Sequence, residues 1–128
     1  MITIPTLGKT ATAKATVTES NTAKAVGSGS LDVFATPMMI ALMERAACEC
    51  LADCMAPGRT SVGTAINIEH TAASPVGADI TATATITAVF GRKIKFTIAA
   101  HEGQQEIGKG THARMMIDED KFMKRLNR

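Results

Sequence analysis

Between residues 9 and 18 the sequence KTATAKATVT sets Ala11, Ala13, Ala15 and Val17 against Thr and Lys, the two-residue period of a strand with one buried face. Ser20-Asn21 turns the chain, residues 22–26 fit a short second strand, and Gly27-Ser28-Gly29-Ser30 reads as a loop. The pattern then changes. Thr36 suits a helix N-cap and Pro37 the first helical position. The run MMIALMERAACECLADCM follows, and Pro57-Gly58 stops it, which predicts one helix of about 18 residues. Arg45, Glu49 and Asp53 recur every four residues and share one wet stripe; almost everything else is apolar, so this helix is expected to be mostly buried.

Strand patterns return downstream. Residues 64–71 put Ile66, Ile68 and His70 on one face. Residues 79–89 put Ile80, Ala82, Ala84, Ile86 and Ala88 on one face and mostly Thr on the other. Gly91-Arg92 turns into 93–100, with Ile94, Phe96, Ile98 and Ala100 together, and Glu102-Gly103-Gln104 turns into a last strand over 105–117. Residues 118–126 suit a short helix. The sum is an α+β chain in which a curved antiparallel sheet wraps one long central helix. Long strands leave an open edge, and pairing with a second subunit would cover it.

Composition narrows the reading. At 128 residues, 1–128 is expected to form a single domain. There are 21 Ala and 17 Thr but 4 Phe, no Tyr and no Trp, so the core is built from small side chains and lets backbones approach closely. The lack of aromatics argues against a single-stranded nucleic-acid platform. A net charge of +2, from 14 Lys and Arg against 12 Asp and Glu, argues against nucleic acid or an anionic membrane as partner. Lys121, Lys124, Arg125 and Arg128 read as a solvated helix end. Residues 1–10 do not resemble a signal segment, and no apolar run reaches the roughly 18 residues of a membrane span. Cys48, Cys50 and Cys54 are odd in number and form no Cys-x-x-Cys, which predicts reduced thiols, a cytoplasmic location and no metal site.

Candidate chemistry begins with Glu44. At 100° per residue it lies about 140° from the Arg45–Glu49–Asp53 stripe, among Ile40, Ala41, Ala47 and Cys48. A carboxylate there must be paired, protonated or facing a cavity. His70 shares its strand face with Ile66 and Ile68 and is expected to point inward, as a structural ring or as a base with an orienting partner. Thr36, at the helix start, is an N-cap, a nucleophile or a water-orienting group. It stands about 12 Å from Glu44 along the helix axis, which makes direct contact doubtful. Amide groups of the helix N-terminus beside it suit a thioester carbonyl or its oxyanion. His101 reads as solvated beside a turn, and His112, sharing a face with Gly108, Gly110 and Arg114, as part of an exposed or interface strand.

Four segments, VFATPMMIALMERAAC (33–48), SVGTAINIEHTAASPVG (61–77), VFGRKIKFTIAAHEG (89–103) and EIGKGTHARMMI (106–117), resemble the fluoroacetyl-CoA thioesterases of the hotdog fold in order and spacing. The resemblance implies hydrolysis of an acyl-CoA thioester to free acid and CoA, with coenzyme A part of the substrate and no further cofactor. It places a Thr–Glu–His constellation on Thr36, Glu44 and His70, and substrate-binding roles on Gly63, Arg114 and Phe34. It also implies a homodimer with sites near the interface, so that Thr36 and His70 could come from different chains, with Glu44 and His70 activating water or Thr36 or Glu44 attacking the carbonyl. The family's aromatic-bearing lid is represented here by VGSGSLDVFA (26–35), with Phe34 its only aromatic, so a more general small acyl-CoA or aryl-acyl-CoA is the expected substrate. The competing reading is a non-catalytic hotdog module that binds acyl-CoA or a related ligand.

Overall fold

The computed structural model describes residues 2–127. Its elements follow in the order β1 (Thr10–Thr16), α1 (Ala23–Val26), α2 (Thr36–Leu51) with a 3-10 turn at Ala52–Cys54, β2 (Arg59–His70), β3 (Asp79–Phe90), β4 (Lys93–Glu102), β5 (Gln105–Asp118) and α3 (Glu119–Leu126). The five strands make one antiparallel sheet in the order β1-β3-β4-β5-β2. The sheet curves around α2, which packs chiefly on β1 and β3. This is the expected α+β architecture. Among the described residues no helix is long and apolar enough to cross a membrane.

Small residues let the helix sit close. Ala46 and Ala47 of α2 and Ala82, Ala84 and Ala100 of the sheet are fully buried, and Met39, Met43, Leu51, Ile80, Ile86, Ile94 and Phe96 fill the space between. Each large apolar side chain so buried contributes roughly 1.5–3 kcal/mol. Thr81, Thr83 and Thr85 alternate with these core positions on the outer face.

Three local expectations change. Residues 22–26 form not a strand but the short helix α1: the Thr22 side chain accepts from the Ala25 amide, and Gly27 ends the turn in the left-handed conformation (φ 79°). At α2 the cap is Ala35, whose side chain can make no capping bond, and Thr36 is already helical. Thr36 therefore keeps its hydroxyl free for another partner. And α2 is not buried all round. Met39, Leu42, Met43, Ala46, Ala47, Cys50 and Leu51 face the sheet, whereas Pro37, Ala41 and Cys48 are exposed and Ile40 and Glu44 only half-buried. One helix has only one sheet to lie on, and the sheet covers a single side.

β2 begins earlier than the alternation suggested, at Arg59, and a bulge between Gly63 and Ala65 resets its phase. It occupies the sheet edge beyond β5, where α2 hardly reaches. Ile66, Ile68 and His70 are in register with His112, Gly110 and Gly108, and those with the buried Phe96, Ile98 and Ala100. They thus share the inner face, but Ile66 is 41% exposed because none of the described elements lies over it.

Candidate functional site

The candidate residues gather into two clusters on this inner side. The first joins the start of α2 to the end of β2. Thr36 Oγ1 lies 2.8 Å from His70 Nδ1 within one chain, so the pair does not need two subunits. Burial holds the His70 pKa below the ordinary histidine value, with the Ala72 backbone pulling weakly the other way. The ring is therefore neutral at pH 7 and able to accept a proton. Its Nε2 is buried with no hydrogen-bond partner among the described residues. The contact gives Thr36 a base within hydrogen-bond distance.

A cavity of about 260 Å³ opens on this pair, lined by Ala23, Ser28, Val33, Phe34, Ala72 and Ala73 besides Thr36 and His70. Phe34 is 2% exposed and forms wall, not lid. Its amide bonds the Ser74 carbonyl, which ties the 71–74 segment to the helix start. The helix terminus adds one donor. Pro37 has no N–H, and Met38 and Met39 both bond the Ala35 carbonyl, so the amide of Thr36 alone is left without a partner among the described residues of this first turn. A larger groove of about 530 Å³, along Thr83, Thr85, Thr97 and Thr111, lies on the outer face and holds none of the candidates.

The second cluster surrounds Glu44, two turns along α2. Arg114 Nη1 donates to Glu44 Oε2 at 2.9 Å, while Arg114 Nε donates to Ser61 Oγ at 2.8 Å and Nη2 to the Ser61 carbonyl at 3.1 Å. His112 Nε2 is 3.9 Å from the same carboxylate oxygen. Glu44 is thus paired, as its position demanded, but with Arg114 instead of His70, and its side chain is 41% exposed. Gly63 has a direct reason to be glycine. A Cβ there would lie 2.6 Å from Glu44 Oε2, 3.3 Å from Arg114 Nη1 and 3.4 Å from His112 Cε1. Its missing side chain is the space in which the ion pair sits.

His112, expected on an exposed or interface strand face, is 4% exposed within the chain and stacks on Phe96 with ring centroids 5.9 Å apart. Ser61 was missed altogether. A usable signal existed: Arg114 two residues on from His112 shares its face, and the neighbouring β4 positions on that face are Phe96 and Ile94.

Comparison with known proteins identifies the family. The sequence family described as fluoroacetyl-CoA-specific thioesterase matches residues 17–120. A fluoroacetyl-CoA thioesterase from Streptantibioticus cattleyicolor is 46% identical over 91 residues, 71% of this chain and 66% of the relative, so the chain matches just under two thirds of that relative's length. The crystal structure of a mutant fluoroacetyl-CoA-specific thioesterase in complex with fluoroacetate and CoA superposes with a TM-score of 0.86 at 37% identity, covering 91% of this chain and 98% of the other. A hot-dog-like protein from Thermanaerovibrio acidaminovorans shares the fold alone, at 22% identity, a TM-score of 0.84, and 94% and 89% coverage. A family match over residues 17–120 and a relative 46% identical settle the kinship: the chain is a member of the fluoroacetyl-CoA-specific thioesterase family.

Proposed function

We propose that the protein is an acyl-CoA thioesterase that hydrolyses a small acyl-CoA to free acid and CoA, acting as a homodimer. The observation that carries this reading is the Thr36–His70 hydrogen bond in the lining of an open cavity of about 260 Å³. His70 Nδ1 takes the hydroxyl proton as Thr36 Oγ1 attacks the thioester carbonyl. The unpartnered Thr36 amide donates to the oxyanion, as a nucleophile's own N–H does in serine hydrolases. The C–S bond breaks, and CoA leaves with the proton from His70. Water then cleaves the acyl–Thr36 ester.

Glu44 is assigned to that water, from the second copy of the chain. Its Oε2 is held by Arg114, and Oε1 makes no hydrogen bond among the described residues. Within one chain it stands about 12 Å from Thr36, too far to share a substrate atom. The long edge of β2, exposed Ile66 and the open side of α2 support a partner on this face. Gly63 and Arg114 act through Glu44, and Phe34 shapes the acyl cavity. The small lining residues of a 260 Å³ space, with no aromatic lid, favour short or aryl acyl groups in general over fluoroacetyl alone.

Incubation with a panel of acyl-CoAs and a thiol reagent tests the activity. No release of CoA together with tight acyl-CoA binding would replace it with the binding-module reading. Mixing Thr36→Ala and Glu44→Gln chains tests the dimer. Both are inactive alone; if each site uses two chains, the mixture regains about a quarter of wild-type activity, since half the dimers are mixed and carry one intact site. No regain places Glu44 with its own chain's Thr36.

A further inference from the structure

We propose that His112 is a positioning residue: its neutral ring fixes the Arg114 guanidinium against Glu44, and protonating the ring exchanges the partner of that carboxylate. The inference rests on the thioesterase reading, and goes beyond it in giving a role to a residue outside the Thr–Glu–His set.

The hydrogen bonds determine the tautomer. His112 Nδ1 lies 2.8 Å from the Ala65 carbonyl, which can only accept, so Nδ1 carries the proton. Nε2 is then a bare acceptor, and Arg114 Nη1, 3.3 Å away, donates to it. The same Nη1 reaches Glu44 Oε2. A guanidinium cannot lose its proton, so this arrangement exists only while His112 is neutral. Among the described residues the charged groups meeting the ring are Arg114, two residues along β5, and Glu44 from α2. β2 contributes the Ala65 carbonyl and β4 the Phe96 face. Burial, aided by Arg114 and opposed by the Ala65 bond and Glu44, keeps the His112 pKa below the ordinary value. When a proton does bind, Nε2–H turns two cations toward each other. The nearest acceptor is Glu44 Oε2 at 3.9 Å, and the carboxylate moves from Arg114 toward the ring.

Two variants separate this role from packing. His112→Phe keeps the stack on Phe96 but offers no acceptor; His112→Gln keeps an acceptor oxygen near the Nε2 position and does not titrate. At pH 8, Phe is expected to lower kcat by about 10- to 100-fold with KM little changed, and Gln to restore most of that loss. In the wild type two rings must be neutral, so kcat/KM on the acid side falls more steeply than tenfold per pH unit; in Gln it falls about tenfold per unit, from His70 alone. A Phe variant as active as wild type, or an acid limb of unchanged steepness in Gln, overturns the proposal. A second readout needs no turnover. Followed by NMR in the full-length chain, the His112 ring midpoint should rise in Arg114→Gln and fall in Glu44→Gln, and indifference to both overturns the coupling. If the wild type hydrolyses no acyl-CoA, the thioesterase reading fails while the ring titration still decides whether these three groups act together.

Discussion

At Gly63 one methyl group separates a working ion pair from a displaced one. Gly63→Ala puts a carbon 2.6 Å from Glu44 Oε2, and the carboxylate or the strand must shift. An ångström of misplacement in such a group costs on the order of 100-fold in rate, so kcat should fall by about 10- to 100-fold with far-UV circular dichroism unchanged. Loss of the native spectrum would mean that Gly63 serves folding instead. Thr36→Ala should abolish CoA release, and Thr36→Ser, which keeps the hydroxyl next to His70, should retain a measurable rate. At this scale the sequence disclosed much of the site. Glu44 stood out because a carboxylate lay off the charged stripe, and His70 because it shared an apolar face. His112 did not, because its neighbours Gly108 and Gly110 carry no side chain and make the face look open. What fills that space is Met39 of α2 at Gly108 and Ile68 of β2 at Gly110, both distant in the chain.

Among elements, the α2–β3 contact tolerates little added volume. Ala82 and Ala84 are fully buried where the helix crosses. Ala84→Leu should destabilise by about 1–3 kcal/mol through overpacking, read as a lower urea midpoint with unchanged m-value. Thr83→Val, on the outer face, should change it far less. The long elements are legible because their periods persist: the helix over four turns, β3 over residues 79–86 up to the irregularity before Ala88, and β4 over 93–100. The short α1 was not. Four residues make barely one helical turn, and Ala23 and Ala25 alternate with Thr22 and Lys24 as they would in a strand, so only the Thr22 cap and Gly27 define it. The reading of Thr36 as N-cap failed for a related reason. Thr-Pro fits N-cap/N1, but the extended backbone at Ala35 (ψ 137°) already provides the entry into the helix.

Taken whole, the molecule carries a pH dependence of stability set by its buried rings. His70 and His112 are both held below the ordinary histidine pKa by burial. In the unfolded chain they take up protons near pH 6.5, while the folded protein resists until lower pH. The unfolded state then binds more protons, so stability falls as pH drops below about 6.5 and levels off once the folded rings titrate; above that pH it no longer changes with these rings. Urea midpoints measured from pH 8 to pH 5 should show this decline, and it should be shallower in His112→Phe. An equal slope in both proteins would show that His112 is not held neutral by the fold.

The strand order has a kinetic meaning as well. β3, β4 and β5 are joined by tight turns and can zip locally, but β2 must wait for β5, whose partner residues lie some 40 to 60 positions further along the chain. Distant pairings form late because closing a long loop costs entropy before any contact rewards it. Gly63, Ser61 and His70 all ride on β2, so the candidate site is assembled late in folding, as is the still more distant pairing of β1 with β3. As edge strands, β2 and β1 are expected to open before the centre of the sheet, and the β2 amides should exchange with solvent before those of β3 and β4. A nascent chain would then hold a nearly complete core well before it could touch a thioester.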